Sequence, residues 1–245
     1  MKEFIYGRNP VYETLRAKRR QFFQLLIREG AQEKGRLAEI IQMAQAQKVK
    51  VSRVQRKRME KISFNNQGVA LEVSSYPYHN VVDILDKAEA RGEAPFVLIL
   101  DTLQDPQNFG TLLRTAESVG VHGVIIPLAR TAQVTAAAVN ASSGASEHLL
   151  IAQANLSQAI GTLKDAGAWI IGLEGSDQAQ SPGEIRMDGG VGIVVGSEGK
   201  GMRRLTRESC DLLLKLPMEG KIESLNAAVA GSVALYLAYL ARNKS

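Results

Sequence analysis

The chain has 245 residues, 45% of them hydrophobic, which suits one large or two small globular domains and excludes a disordered chain. A single cysteine, Cys210, excludes an internal disulfide and a metal site built from several cysteines. Residues 1–61 carry 16 Lys and Arg against 6 Asp and Glu, whereas the whole chain has a net charge of +5. The basic N-terminal part therefore suits binding to a polyanion such as nucleic acid. The alternative is that its charges only form the solvent-exposed face of a helix.

Membrane and export signals are not evident. The sequence has no run of 18 or more apolar residues, and its first four residues, Met1 to Phe4, lack the apolar core of a signal peptide. We therefore expect a cytoplasmic protein without a membrane partner or a metal.

Residues 1–75 show the pattern of a small α/β module. Asn9 followed by Pro10 predicts a helix N-cap and a first helical position, with the helix running to about Ala17. A second helix is predicted at residues 34–47, and short apolar runs predict strands at 22–27, 49–51 and 69–73. The module is small and basic, which favours nucleic acid as its partner.

Residues 76–95 contain Pro77, Gly92 and Pro95 and are predicted to be a linker, with a short helix at 81–91. The second region, residues 96–245, contains strand-like apolar runs at 96–101, 124–126, 169–171, 191–195 and 212–214. Helical stretches are predicted at 110–119, 156–166, 200–208 and 225–240. Apolar strands alternating with helices predict an α/β fold with a parallel sheet that is covered on both faces.

Ligands of such a sheet bind beyond the carboxyl ends of its strands, so the segments that follow the strands are candidates for the site. In the first, residues 101–115, Asn108 is placed at a helix N-cap and Arg114 about one and a half turns further on. In the second, Gly196, Gly199 and Gly201 surround Glu198. Glycines allow a ligand to approach the backbone closely, and the central acid favours a cationic or hydroxyl-rich ligand over a bare phosphate.

Two further segments complete the pattern. A strand is broken at Leu216-Pro217-Met218, which leaves backbone groups free for a ligand. The segment Ser224-Leu225-Asn226-Ala227-Ala228 opens the last helix, where Ser224 or Asn226 is a candidate cap. Alone, each segment has a purely structural explanation.

In order and spacing, the four segments resemble the motifs of the SpoU-type branch of the SPOUT superfamily, the RNA 2′-O-ribose methyltransferases. The N-terminal runs Tyr6-Gly7-Arg8-Asn9-Pro10-Val11 and Gln67-Gly68-Val69-Ala70 resemble the L30e-like RNA-binding module of bacterial 23S rRNA guanosine methyltransferases. Asn66 stands where those members often have histidine. The resemblance implies a trefoil-knotted catalytic domain, S-adenosyl-L-methionine as methyl donor, and a homodimer formed through the C-terminal domain.

The resemblance also implies roles for named residues. The catalytic set is Asn108, Arg114, Glu198 and Asn226. Residues implied to bind the methyl donor, largely through their backbone, are Gly172, Leu173, Val195, Gly196, Leu216, Ser224 and Leu225. Arg114 is the family's proposed activator of the ribose hydroxyl, and we interpret it instead as a phosphate-binding and orienting residue, because arginine rarely loses its proton.

The predicted reaction is methyl transfer to the ribose 2′-OH of a guanosine in large-subunit (23S) rRNA. One alternative is a tRNA 2′-O-ribose methyltransferase of the same superfamily, although those enzymes typically lack the compact N-terminal module. Another is an inactive ribosome-associated RNA-binding protein, which would have no need to keep all four catalytic residues.

Overall fold

A computed structural model describes residues 2–222 and 224–243. The chain forms two compact units. The first contains the residues up to Pro77 together with Gln133–His148, and the second contains Tyr78–Ala132 and the residues from Leu149 onward. The segment 133–148 thus belongs to the first unit, although its position in the sequence suggested the second region.

The first unit is built on a four-stranded sheet with the order β1-β4-β2-β3. The strands are β1 (Lys2–Tyr6), β2 (Phe22–Arg28), β3 (Lys50–Val54) and β4 (Val69–Ser74), of which β2 and β3 run parallel and β4 runs antiparallel to both of its neighbours. Its helices are α1 (Arg8–Ala17), α2 (Arg36–Ala46), α3 (Arg56–Glu60) and α6 (Ala136–Ala141). Helix α1 begins at Arg8 after Gly7, which has φ 88°, so the expected cap at Asn9 is wrong by two residues.

A buried ion pair attaches the segment 133–148 to the first unit. The Arg20 guanidinium donates from Nε and Nη2 to the two carboxylate oxygens of Glu147 at 2.8 and 2.7 Å, and both side chains are fully buried. Asn140 adds a hydrogen bond from its side-chain amide to the Tyr6 carbonyl at 3.1 Å. Loss of Arg20 would leave the buried Glu147 carboxylate without its cation, so this pairing specifies where the segment lies.

The second unit is built on a six-stranded sheet with the order β10-β8-β9-β5-β6-β7, in which every neighbouring pair is parallel. The strands are β5 (Phe96–Leu100), β6 (Gly123–Pro127), β7 (Ile151–Ala154), β8 (Ala168–Leu173), β9 (Gly190–Val195) and β10 (Leu212–Leu214). The helices are α4 (Val81–Ala90), α5 (Pro106–Ser118), α7 (Leu156–Asp165), α8 (Arg204–Glu208) and α9 (Ala227–Arg242). Within the described residues, no helix combines the length and the apolar character that crossing a bilayer requires.

Helices cover both faces of this sheet. On one face, Ile84 of α4 and Ile160 of α7 share an apolar cluster with Ile99 and Val194 of the central strands. On the other face α9 packs against α5 and β9, and a side chain on Gly231 would come within 3.0 Å of Leu112 and Val195. The predicted α/β fold with a doubly covered parallel sheet is confirmed. The trefoil knot stays a prediction.

Buried His122 links the stability of the second unit to pH. Its Nδ1 accepts a hydrogen bond from the Phe96 backbone N–H at 2.9 Å, which places the ring proton on Nε2, 2.9 Å from a Glu93 carboxylate oxygen. Burial lowers the pKa of His122 below its usual 6.5, and the attraction of Glu93 opposes this effect. The folded protein therefore favours the neutral ring, which agrees with a structural role for this histidine.

We expect the melting temperature to fall as the pH is lowered through about 6.5, because the unfolded chain takes up a proton at His122 that the folded chain resists. His122→Asn keeps an acceptor for the Phe96 N–H without the titration, so it should flatten the pH dependence between about pH 7 and 5. Thermal melts measure this, with half-buried His148→Asn as the control. An unchanged slope for His122→Asn would contradict the assignment.

Candidate active site

The carboxyl ends of adjacent parallel strands place the candidate segments along one edge of the second unit's sheet. Strands β8, β9 and β5 are neighbours and end at Leu173, Val195 and Leu100, and β10 lies beside β8 and ends at Leu214. The chain that leaves each strand therefore enters the same edge, where parallel α/β sheets bind their ligands.

The glycine-rich loop after β9 is closed by its own backbone. Ser197 and Gly201 exchange N–H to carbonyl hydrogen bonds at 3.0 and 2.9 Å. Gly199 and Gly201 have φ of 75° and 64°, which favours glycine. A Cβ on Gly196 would lie well under 3.0 Å from the Gly201 carbonyl and the Met202 nitrogen, so the return of the loop requires glycine there. The loop delays the following helix, which begins at Arg204 and not near Lys200 as expected.

Asp101 fixes the far end of this loop and was not among the predicted site residues. Its fully buried carboxylate accepts hydrogen bonds from the Arg203 backbone N–H at 2.7 Å and from Arg203 Nε at 2.6 Å. The feature of the sequence that could have identified Asp101 is its position as an acidic residue directly after the apolar strand β5. A charge at that depth requires a partner, and here the partner is the loop itself.

Three of the four predicted catalytic residues form one hydrogen-bonded group. The Asn108 side-chain amide donates to Glu198 Oε1 at 3.0 Å. The Asn226 amide donates to Asn108 Oδ1 at 3.1 Å and also to the same Glu198 oxygen. The Glu198 carboxylate is exposed and thus joins the starts of α5 and α9 through two amides. These contacts connect residues 90 and 118 positions apart in the sequence.

The two asparagines occupy different positions on their helices. Asn226 is the N-cap of α9, and its side-chain oxygen accepts from the Ala228 and Val229 N–H groups at 2.9 and 3.2 Å. Asn108 lies inside the first turn of α5, whose N-cap is Asp105, so its predicted capping role is wrong. Pro106 fits the first helical position, and because Asp105 caps the helix, the Asn108 side chain is left for the contact with Glu198.

Arg114 lies six residues beyond Asn108 on α5, where its side chain is exposed. The next residue, Thr115, contacts Ser232 of α9 through the two hydroxyl oxygens at 2.9 Å, which holds the two helices together beside Arg114. The described partners of Glu198 are Asn108 and Asn226. The predicted support of Arg114 by Glu198 therefore stays a prediction.

The residues predicted to bind the donor lie around the three neighbouring strand ends. Buried Gly172 and half-buried Leu173 end β8, and buried Val195 and Gly196 lie at the end of β9. Half-buried Leu216 follows β10, and exposed Ser224 and Leu225 precede α9. In the described part of the chain, the peptide N–H groups of Leu216 and Met218 have no hydrogen-bond partner, so they are open to a ligand.

Cys210 packs beneath this edge. It lies two residues after α8 and is half-buried, and its sulfur lies 4.0 Å from that of Met202. Burial raises the pKa of the Cys210 thiol to about 12, so the thiol stays protonated at neutral pH. Among residues 2–222 and 224–243, no group of three or more His, Cys, Asp or Glu side chains is arranged to hold a metal ion.

Comparisons with known proteins identify families over both units. Residues 95–236 match the model of the SpoU rRNA Methylase family, and residues 4–79 match a model described as RNA 2′-O ribose methyltransferase substrate binding. A protein of Bacillus subtilis (strain 168), whose name places it provisionally among TrmH family tRNA/rRNA methyltransferases, is 39% identical. The match covers 98% of this chain and 96% of that protein.

Two solved structures share the fold over almost the whole chain. The SpoU methyltransferase AviRb from Streptomyces viridochromogenes in complex with AdoMet has a TM-score of 0.80 and 20% identity, covering 100% of this chain and 92% of its own. The AdoMet-bound rRNA methyltransferase from Sinorhizobium meliloti has a TM-score of 0.77 and 22% identity. The match covers 97% of this chain and 86% of that chain. The family match over more than half of the residues agrees with the arrangement of Asn108, Glu198 and Asn226, and the chain belongs to the SpoU rRNA methylase family of RNA 2′-O-ribose methyltransferases.

Proposed function

We propose that this enzyme transfers a methyl group from S-adenosyl-L-methionine to the ribose 2′-OH of a guanosine in 23S rRNA. The observation that carries the proposal is the hydrogen-bonded group of Asn108, Glu198 and Asn226, which lies beside the glycine-rich loop at the carboxyl edge of the sheet. Such a group fixes the starts of α5 and α9 and the loop after β9 relative to one another, as positioning of a methyl donor against a hydroxyl requires.

The residues at the strand ends fit the donor. S-adenosyl-L-methionine supplies, when bound, a methyl group on a cationic sulfonium. Gly196 allows the loop after β9 to fold back on itself, and the open N–H groups of Leu216 and Met218 suit the edge of an adenine. The exposed Glu198 carboxylate provides negative charge at this edge, which favours a cation over a phosphate. Gly172, Leu173, Val195, Ser224 and Leu225 complete the proposed donor site.

Arg114 is proposed to bind a phosphate of the RNA and to orient the ribose hydroxyl. The side chain is exposed on the same helix that begins with Asn108, so an approaching RNA backbone can reach it. A guanidinium binds phosphate through paired N–H donors, whereas it holds its own proton too tightly to act as a base. Asn108, Glu198 and Asn226 are proposed to hold the helix starts and the loop while the methyl group moves.

The rRNA substrate is favoured by the basic N-terminal unit, which matches a substrate-binding model over residues 4–79. Methylation of unmodified 23S rRNA with radiolabelled donor, followed by mapping of the ribose-methylated nucleotide, tests this. We expect incorporation at a guanosine. Incorporation into tRNA and not rRNA would overturn the substrate, and calorimetry without detectable donor binding would overturn the proposed reaction. Because its substrate is RNA, we propose that the enzyme acts in the cytoplasm.

A homodimer formed through the C-terminal domain is part of the proposal. On α9, Val229, Val233, Tyr236 and Leu240 are between 40% and 51% exposed, and their spacing of four, three and four residues puts them on one face. An apolar face of this extent is typical of an interface.

We expect Val233→Glu to convert the dimer to monomers, because the substitution buries an unpaired charge at a cost of about 3 kcal/mol or more. Size-exclusion chromatography with light scattering measures the mass. Val82→Glu on α4 is the matched control, since Val82 is 57% exposed outside this face. A wild-type chain that is monomeric at micromolar concentration, or a Val233→Glu variant that stays dimeric, would refute the interface.

A further inference from the structure

The first unit contains a cleft of about 480 Å³ whose lining combines an aromatic ring, two arginines, the Glu60 carboxylate and several amides. Its lining includes Arg28, Arg56, Phe64, Asn65, Gln67 and Asn140. Donor-binding and catalytic residues proposed above all belong to the other unit. The cleft therefore needs an explanation of its own.

Phe64 is the unusual member of this cleft. It lies between α3 and β4 and is 88% exposed, whereas the other large apolar side chains described as exposed lie in the second unit. A phenylalanine in water contributes nothing to the core and leaves its apolar area hydrated. Its two ring faces are available for stacking, and a nucleic-acid base is a flat partner that stacks on such a ring.

The loop that presents Phe64 is held rigidly. Asn66 donates from its amide to the Ser63 carbonyl at 2.6 Å and accepts from the Gly68 N–H at 2.8 Å. Gln67 has φ of 51° and accepts from the Arg8 N–H at 2.8 Å through its side chain. Asn66 thus has a structural role here. A fixed loop loses little conformational entropy when a ligand binds.

Positive charge lies next to the ring. The Arg28 guanidinium makes no ion pair within the described part of the chain. Arg56 is paired with Glu60 at 2.6 Å but remains 77% exposed. Lys57 and Arg58 continue the same short helix. The excess of cations suits the phosphate attached to a stacked nucleotide.

Amide groups complete the lining. Asn140 donates to the Tyr6 carbonyl, which leaves its side-chain oxygen as an acceptor toward the cleft. The Asn65 side-chain amide has no hydrogen-bond partner among residues 2–222 and 224–243. Amides of this kind recognise the polar edges that a base exposes when it is unpaired.

We propose that this cleft binds one unpaired RNA base, which stacks on Phe64 while its edge meets Asn65 and Asn140 and its phosphate lies near Arg28. The inference rests on the proposed RNA substrate and adds a position outside the methylated nucleotide that the enzyme recognises. A base within a continuous duplex is stacked on both faces and paired along its edge. The cleft therefore selects RNA with a loop, bulge or single-stranded end over duplex RNA.

The test uses the full chain and a hairpin RNA with 2-aminopurine in an unpaired purine loop, compared with the same strand fully base-paired. We expect the wild type to quench the 2-aminopurine fluorescence and to prefer the hairpin. Phe64→Ala should weaken hairpin binding on the order of tenfold, abolish the quenching and leave duplex binding unchanged. Phe64→Tyr should restore both binding and quenching. Arg28→Ala should weaken binding and reduce the salt slope by about one, whereas Phe64→Ala should not change that slope.

Val82→Ala is the control, because it removes a similarly exposed apolar side chain from the other unit. The proposal would be overturned if the wild type bound hairpin and duplex equally, or if Phe64→Ala left the dissociation constant for the hairpin unchanged. It would also be overturned if Val82→Ala weakened hairpin binding as much as Phe64→Ala. Donor binding and methylation of 23S rRNA by the wild type are measured separately. Their failure counts against the proposed function, whereas a normal wild-type reaction with an unaffected Phe64→Ala variant counts against this cleft alone.

Discussion

Gly196→Ala is expected to abolish detectable donor binding, with a loss of at least about a hundredfold in affinity. The added Cβ would lie well under 3.0 Å from backbone atoms of Gly201 and Met202, which cannot move aside as a flexible side chain can. Overpacking of this kind costs about 1–3 kcal/mol or more, and here it would displace the loop that carries Glu198. Isothermal calorimetry with S-adenosyl-L-methionine measures the affinity, and circular dichroism verifies that the variant is folded.

The matched control for this substitution is Gly175→Ala. A Cβ on Gly175 would meet no atom within 4 Å, so we expect wild-type affinity for the donor. RNA binding by the N-terminal unit should survive in both variants. If the Gly196→Ala protein is folded and binds the donor with wild-type affinity, the donor site does not require this loop to fold back on itself.

Arg114→Ala is expected to lower the single-turnover methylation rate by about a hundredfold to a thousandfold while donor affinity stays unchanged. A loss of rate of this size is typical when one well-placed hydrogen-bond donor to a reacting group, or to the phosphate next to it, is removed. Arg114→Lys keeps the charge but loses the paired donors, so it should recover part of the rate. Under our interpretation the pH–rate profile of the lysine variant shows no new ionisation, because residue 114 gives up no proton.

The opposite result would support a general base. A lysine variant with nearly full rate and a new ionisation in its pH–rate profile would refute the orienting role. Arg186→Ala controls for the removal of a surface arginine, since Arg186 is 88% exposed and pairs with Asp188. An ion pair on the surface contributes little to stability, so the Arg186→Ala variant should methylate RNA like the wild type.

Most elements of the second unit follow from local patterns in the sequence. Strands β5, β8 and β9 and helix α7 appear in the structure within a few residues of their predicted positions. These elements are easy to recognise in the sequence. A strand that is covered on both faces is apolar along its whole length, and the apolar residues of a helix recur with the helical period. Strand β1, which carries charged residues, and strand β7, with four residues, were missed because neither presents a long apolar run.

The sequence by itself determined the α/β class, the glycine loop around Glu198, and the candidate set of Asn108, Arg114 and Asn226. Only the tertiary structure decided which side chains meet. The hydrogen bonds among Asn108, Glu198 and Asn226, the buried Asp101 that holds Arg203, and the Arg20–Glu147 pair all join residues far apart in the chain. Hydrophobic periodicity is a local property, whereas strand order and the partners of buried charges depend on how all the elements pack together.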